Sequence, residues 1–186
     1  MMLTKKISLI ILFFSFFYGY SQKNNNRNMN IEDIRELEQE RISDIPNTVK
    51  LYVEELENKF DIKLDYKNIS TLDKFDEKIH VYGLEKLNDK DLFSISLYLD
   101  EFFRTNTDTY WIIERFKSSK GYYFVPFLKS KDSKKEFSFF RDILKGHSEN
   151  ESGYLLLKYC YILQLARYND IPPLSKEEIE FFKSFN

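Results

Sequence analysis

The chain has 186 residues, with 28 basic and 30 acidic side chains and a formal charge of −2. That balance offers no basic footprint for nucleic acid and no polybasic patch for an anionic membrane surface. One cysteine, Cys160, excludes an intrachain disulfide, and five glycines leave no phosphate-cradling loop.

The first 21 residues carry Lys5 and Lys6, then an apolar run from Ile7 to Tyr18, then Gly19-Tyr20-Ser21. This is the pattern of a cleavable signal peptide, with the cut between Ser21 and Gln22. The apolar run is shorter than the roughly 20 residues a spanning helix needs. Cleavage removes two of the 28 basic residues and none of the acidic ones, so the mature charge becomes −4. A secreted protein without disulfides suits a bacterial envelope, in the periplasm or outside the cell. Residues 22–29 (QKNNNRNM) are expected to be a disordered mature N-terminus. Residues 30–186 are expected to form a single domain.

Asn30 caps a first helix with a thin stripe of Ile31, Ile34 and Leu37. Pro46 suits the first turn of a second helix. Its face is Val49, Tyr52, Val53, Leu56 and Phe60. Asp61–Tyr66 alternates apolar and polar residues and reads either as a short third strand or as an extended connection. Ser70 with Asp73 predicts a capping box for a helix with Leu72, Phe75 and Ile79 inside, ended by Gly83.

The stretch Asn88–Leu128 organises the rest. Asn88 is an N-cap with Asp91 three residues on, and Leu87 and Leu92 form a staple. Leu92, Ile95, Leu99 and Phe102 recur at helical spacing, widened by Tyr98 and Phe103. The period then changes. Thr109–Phe116 and Tyr122–Leu128 are β-branched and aromatic, with a Gly121-containing turn between them, which predicts an antiparallel hairpin. Pro126 inside the second strand argues for an edge strand or for early termination there.

Ser133 with Glu136 predicts a helix to Leu144, closed by Gly146. Tyr154–Tyr168 has no consistent polar face and reads as a buried core helix. After Pro172-Pro173, Ser175 with Glu178 predicts a last helix to about Phe185. The sum is an α+β domain, mainly helical, with six to seven helices and a small antiparallel hairpin.

Chemistry-bearing residues are sparse. His80 and His147 lack the spacing of a helical metal pair and read as a helix-end and a loop histidine, so no metal and no cofactor is expected. Cys160 sits on the most apolar helix and reads as a small buried hydrophobe. No G-x-S-x-G or S-x-x-K motif occurs. Asp100-Glu101 are adjacent acids that point in different directions on a helix and read as a solvated face. A glycosidase would need carboxylates on opposite sides of one bond. Trp111, with Tyr110, Tyr122 and Tyr123, reads either as core packing or as an aromatic surface for a partner.

Tyr98-Leu99-Asp100-Glu101, Arg104-Thr105-Asn106 and Tyr110-Trp111, with Leu72-Asp73 upstream, form a pattern. It resembles uncharacterised bacterial domains in which a helix ending Tyr-hydrophobic-Gly-Glu-hydrophobic-hydrophobic-Arg precedes a Trp-bearing strand. The similarity covers about residues 50–128 and departs at Asp100, where the pattern has Gly. It implies an α+β fold, and it makes Glu101, Arg104 and Trp111 the matching site positions. Together these readings lead to an exported, non-enzymatic binding protein, of immunity or inhibitor type, that engages another protein through Glu101, Arg104, Trp111 and Tyr123. A periplasmic hydrolase of glycan or cell-wall material is the alternative, and a structural envelope protein is a third.

Overall fold

A computed structural model describes the backbone of residues 31–118, 121–149 and 154–171. The expected signal peptide, the N-terminal tail and the helix expected at 175–185 lie outside these residues. The fold is α+β, with five helices among the described residues and a three-stranded antiparallel sheet. The helices are α1 (Ile31–Phe60), α2 (Ser70–Tyr82), α3 (Asp89–Asn106), α4 (Phe140–Glu149) and α5 (Leu157–Tyr168). The strands are β1 (Thr109–Ser118), β2 (Gly121–Ser130) and β3 (Glu136–Phe137).

Helix α3 is the buried axis. Its start follows the predicted capping box. Asp91 N donates to Asn88 Oδ1 at 3.0 Å, and Asn88 N donates back to Asp91 Oδ2 at 2.8 Å. All ten residues from Asp91 to Asp100 are buried. A helix buried on every side must hide its own polar groups. Ser94 and Ser96 do so by donating to the carbonyls of Lys90 (2.8 Å) and Phe93 (2.7 Å). Lys59 of α1 pairs with the Asp91 carboxylate at 2.7 Å.

Two predicted helices are one. The chain continues through Pro46 as a single 30-residue helix, although proline removes an amide donor and crowds the preceding turn at a cost of ~3 kcal/mol. Packing offsets this cost. Beyond the proline, Val49, Val53, Leu56 and Phe60 are buried against the core. Before it, Glu38 pairs with Arg115 at 3.5 Å, and the Arg41 guanidinium lies 4.7 Å from the Phe124 ring centre. The hairpin therefore gives the first half of α1 a surface to hold.

Asp61–Tyr66 is the extended connection, not a strand. Side chains satisfy its backbone instead of a ladder. Leu64 N donates to Glu57 Oε1 (2.8 Å), Asn106 Nδ2 donates to the Tyr66 carbonyl (2.7 Å), and Tyr98 Oη donates to the Asp65 carbonyl (3.4 Å). The expected Ser70–Asp73 box also does not form. The cap position is Ile69, and Asn68 Oδ1 accepts from both the Ser70 amide and its hydroxyl. Asp73 pairs with Lys158 at 2.8 Å instead. Leu72, Phe75 and Ile79 are fully buried, as their spacing required. Gly83 ends α2 at φ +101°, a conformation that favours glycine.

The hairpin pairs Thr109 with Ser130 through Ser118 with Gly121, so each strand is longer than its sequence pattern suggested. The third strand is Glu136–Phe137, which pairs with Lys129 and Leu128. The predicted helix start at Ser133 is displaced because this segment is claimed by the sheet edge. Ser133 Oγ accepts the Lys135 amide in a local turn, and α4 begins only at Phe140. Ser130 N bonds the Lys135 carbonyl. By strand alternation, Leu128, Pro126 and Phe124 direct their backbone groups to that same edge. The strand order is β1-β2-β3, so β2 is the central strand rather than an edge, and it runs past Pro126 to Ser130. The proline is tolerated because its missing donor faces away from β1 and lies beyond the two-residue β3.

Gly146 lies inside α4 rather than ending it, since the helix runs on to Glu149. A Cβ there would stand 3.2 Å from the Leu155 carbonyl, so the glycine permits the return of the chain. Helix α5 is not buried all round. Leu155, Leu157, Cys160 and Tyr161 are buried, whereas Ile162 is 38% exposed. It meets the sheet at Phe137, whose ring lies 5.9 Å from Tyr168. Phe103 joins the layers, with Phe137, Phe139, Tyr161 and Tyr168 all within 6.0 Å between ring centres.

The start of α5 has no cap of its own, because Leu156 there is left-handed at φ +57°. Asp76 of α2 supplies one from a distance. Its carboxylate accepts the Leu155 amide at 2.8 Å and the Leu157 amide at 3.0 Å. Burial pushes Asp76 up to about 6, against the lowering effect of those amides.

Candidate functional site

Three of the four expected site residues converge. Glu101 and Arg104, one turn apart on α3, form a two-pronged ion pair, Arg104 Nε to Oε2 at 2.7 Å and Nη2 to Oε1 at 2.6 Å. Trp111 Nε1 donates to Glu101 Oε2 at 3.1 Å. The hydrogen bond to Glu101 holds the Arg104 guanidinium above its ordinary value. Tyr66 lies close by, and burial first and the Glu101 charge second push its phenol upward. The cluster joins the end of α3 to the start of β1. Both carboxylate oxygens of Glu101 are occupied by protein donors, and Trp111 is only 7% exposed. This arrangement fixes a helix–strand junction, and neither of the two clefts described below is lined by these residues. Trp111 is core packing. Tyr123 does not join the cluster. It is the cross-strand partner of Phe116, far along the hairpin, and its side chain lies outside those described.

Asp100, read from sequence as part of a solvated face, is 2% exposed. Its Oδ1 accepts the Phe139 amide at 3.0 Å, which pins the start of α4 to α3. Burial raises its carboxyl well above the ordinary value, and nearby Asp142 and Glu101 push the same way, while the Phe139 amide opposes them. Position 100 is where the bacterial pattern has glycine. Here the extra side chain fills the approach between α3 and the β3–α4 turn with a hydrogen bond.

Asp100 also lines a cleft of about 350 Å³, the larger of two formed by described residues and considered in turn. Its walls are Phe93 and Leu97 of α3, Pro126 and Phe127 of β2, and Phe140 of α4, with Glu114, Glu136, Arg141 and Arg167 as the other charged groups. Glu114 and Glu136 hydrogen-bond carboxyl to carboxyl. Burial, and then this contact, raise Glu114, with Lys129 opposing. Lys129 also pairs with Glu136 at 3.6 Å. The second cleft, about 80 Å³, lies between α1 and the hairpin, beside Ile45, Val49, Ile113 and Phe124.

His80 stacks on Tyr154 with ring centres 4.0 Å apart, and His147 Nε2 lies 3.2 Å from the Leu84 carbonyl, in the last turn of α4 rather than in a loop. Among the described residues no group of His, Cys, Asp and Glu could hold a metal ion. Burial pushes the Cys160 thiol up to about 12, so it is a poor nucleophile. No described helix is long and apolar enough to cross a membrane.

Sequence reasoning missed the cleft because its charged members come from α3, β1, β3, α4 and α5. One signal was available: Asp100 interrupts an apolar stripe between Leu99 and Phe102-Phe103, where a charge needs a reason. Comparison with known proteins adds nothing to this geometry: no protein-family model, no curated protein and no solved structure matches the chain.

Proposed function

We propose that this chain is an exported, non-enzymatic binding protein that engages another protein through the outer side of its hairpin. The observation that supports this reading is the exposure of Tyr110 (42%) and Phe116 (40%) on β1. Strand alternation places them on the face opposite the buried Trp111, and Tyr123 is the register partner of Phe116. Large aromatic residues held on a rigid ribbon bind with little loss of side-chain freedom. The mutual occupancy of Glu101, Arg104 and Trp111 weighs against a hydrolase acting through Glu101.

The test is affinity capture from periplasmic extract with the mature chain, compared with Tyr110→Ser/Phe116→Ser. Both substitutions lie on the exposed face and spare the core. A partner retained by the native chain and lost by the variant supports the reading. A partner set indifferent to the change contradicts it.

A further inference from the structure

Strand β1 stands at the end of the sheet, so the order β1-β2-β3 leaves one side of its backbone without a ladder. Which residues face that side follows from the bonds of β2. The Ser130 amide bonds the Lys135 carbonyl, so Ser130, and by alternation Leu128, Pro126 and Phe124, turn their backbone groups away from β1. Opposite residues of an antiparallel pair turn both toward each other or both away. The register partners Trp111, Ile113 and Arg115 therefore turn their amides and carbonyls outward. Among the described residues no other backbone segment bonds Trp111 or Ile113 there. The usual guards of an edge are missing: β1 has no proline, and its pairing runs residue for residue from Thr109 to Ser118 without a bulge. Helix α1 lies against the core face of the hairpin, beside Ile113, Phe124 and Pro126. Tyr110 and Phe116 stand exposed on the other face.

We propose that two copies of this chain pair antiparallel along β1, about a two-fold axis through Ile113, and join their sheets. A two-fold axis normal to the sheet keeps every side chain on its own face, so only registers that set outward-turned residues opposite one another are allowed. With Ile113 opposite its own copy, Trp111 meets Arg115, Ile112 meets Glu114, and Tyr110 meets Phe116 of the second copy, each pair occurring twice. This register pairs the whole span from Thr109 to Lys117. A shift of two residues one way sets Glu114 against Glu114, a like-charge pair that destabilises a sheet. The opposite shift sets Tyr110 against Glu114 and Phe116 against Asp108, which lies before the strand. Strand length, aromatic matching and charge thus select the same register. The inference rests on the outer hairpin face being a binding surface and extends it, because the second copy supplies half of the aromatic residues of that face.

The test is sedimentation velocity of the purified mature chain from about 1 to 100 μM. The native chain should shift from monomer to dimer across this range. Tyr110→Lys/Phe116→Lys sets lysine against lysine at both aromatic pairs and should weaken the dimer about tenfold or more. Tyr110→Lys/Phe116→Glu sets lysine against glutamate at both and should recover that loss. Disulfide trapping reads the register separately and decides if a double variant fails to fold. Under oxidising conditions Tyr110→Cys mixed with Phe116→Cys should form a covalent dimer, while either alone should not, and Cys160 is buried. A native chain that stays monomeric, a dimer indifferent to the two lysines, no recovery with glutamate, or trapping by one cysteine variant alone would overturn the proposal. Only purified chain is used, so a missing dimer and a failed capture of a partner from extract are separate results.

Discussion

The bond from α2 to the start of α5 is the sharpest test of the packing. Replacing Asp76 with Ala leaves the Leu155 and Leu157 amides without acceptors in a buried setting. Each orphaned donor costs about 1–3 kcal/mol. Part of that loss is returned, because the native carboxylate is itself strained by burial. Its rise from 3.8 to about 6 corresponds to about 3 kcal/mol between protonation states. At neutral pH the two effects largely offset, and the net loss should be no more than about 3 kcal/mol; at pH 4, where most of the burial penalty is gone, it should rise to about 2–6 kcal/mol. The pH dependence carries the sign. A carboxyl whose folded value is raised contributes stability that is fully present below 3.8 and is lost as pH rises through about 6. The native chain should therefore gain up to about 3 kcal/mol from this group on going from pH 7 to pH 4. Asp76→Asn should lack that gain. Urea unfolding of native, Asp76→Ala and Asp76→Asn chains across this range measures both effects, and the difference from Asn removes the like-signed contribution of Asp100. An Ala variant within about 0.5 kcal/mol of native at pH 4, or an Asn variant with the native slope, would refute the reasoning.

Phe103→Ala should cost about 3–5 kcal/mol by the same unfolding assay, since the ring touches four aromatic neighbours and is fully buried. Trp111 is the single tryptophan and is 7% exposed. Its emission should be blue-shifted and poorly quenched by acrylamide until the chain unfolds, and Trp111→Phe should cost about 1 kcal/mol for the lost bond to Glu101. Cys160 should resist a thiol reagent at pH 8 in the folded chain and react fully in denaturant; rapid labelling of the native protein would contradict its burial.

How much of this was readable in the chain varies with the range of the forces involved. The Asn88–Asp91 cap and the α3 stripe rest on close neighbours in sequence and appear as read, and the hairpin, set by its turn, forms with longer strands than expected and with β2 at the centre of the sheet. The α2 face of Leu72, Phe75 and Ile79 is likewise local. The errors lie where distant partners decide. Pro46 lies within a continuous helix because the hairpin holds the turns before it. Glu136 and Phe137 leave a plausible helix to complete the sheet. Asp61–Tyr66 keeps its alternation yet spends its backbone on side chains. The apolar count of Tyr154–Tyr168 predicted complete burial, but only the side facing Phe102 and Phe103 is enclosed. Site residues follow the same rule. Glu101, Arg104 and Trp111 were named through a resemblance and do meet, yet as a filled junction. The open cleft draws on six elements, and a linear pattern carries no trace of it apart from Asp100.

Everything rests on α3 as the enclosed axis. Native-state hydrogen exchange tests this directly. Amides from Leu92 to Phe103 should be the slowest in the chain and should exchange only with global unfolding, while those of α5 near Ile162 exchange sooner. Protection of α3 equal to or below that of α5 would contradict the account.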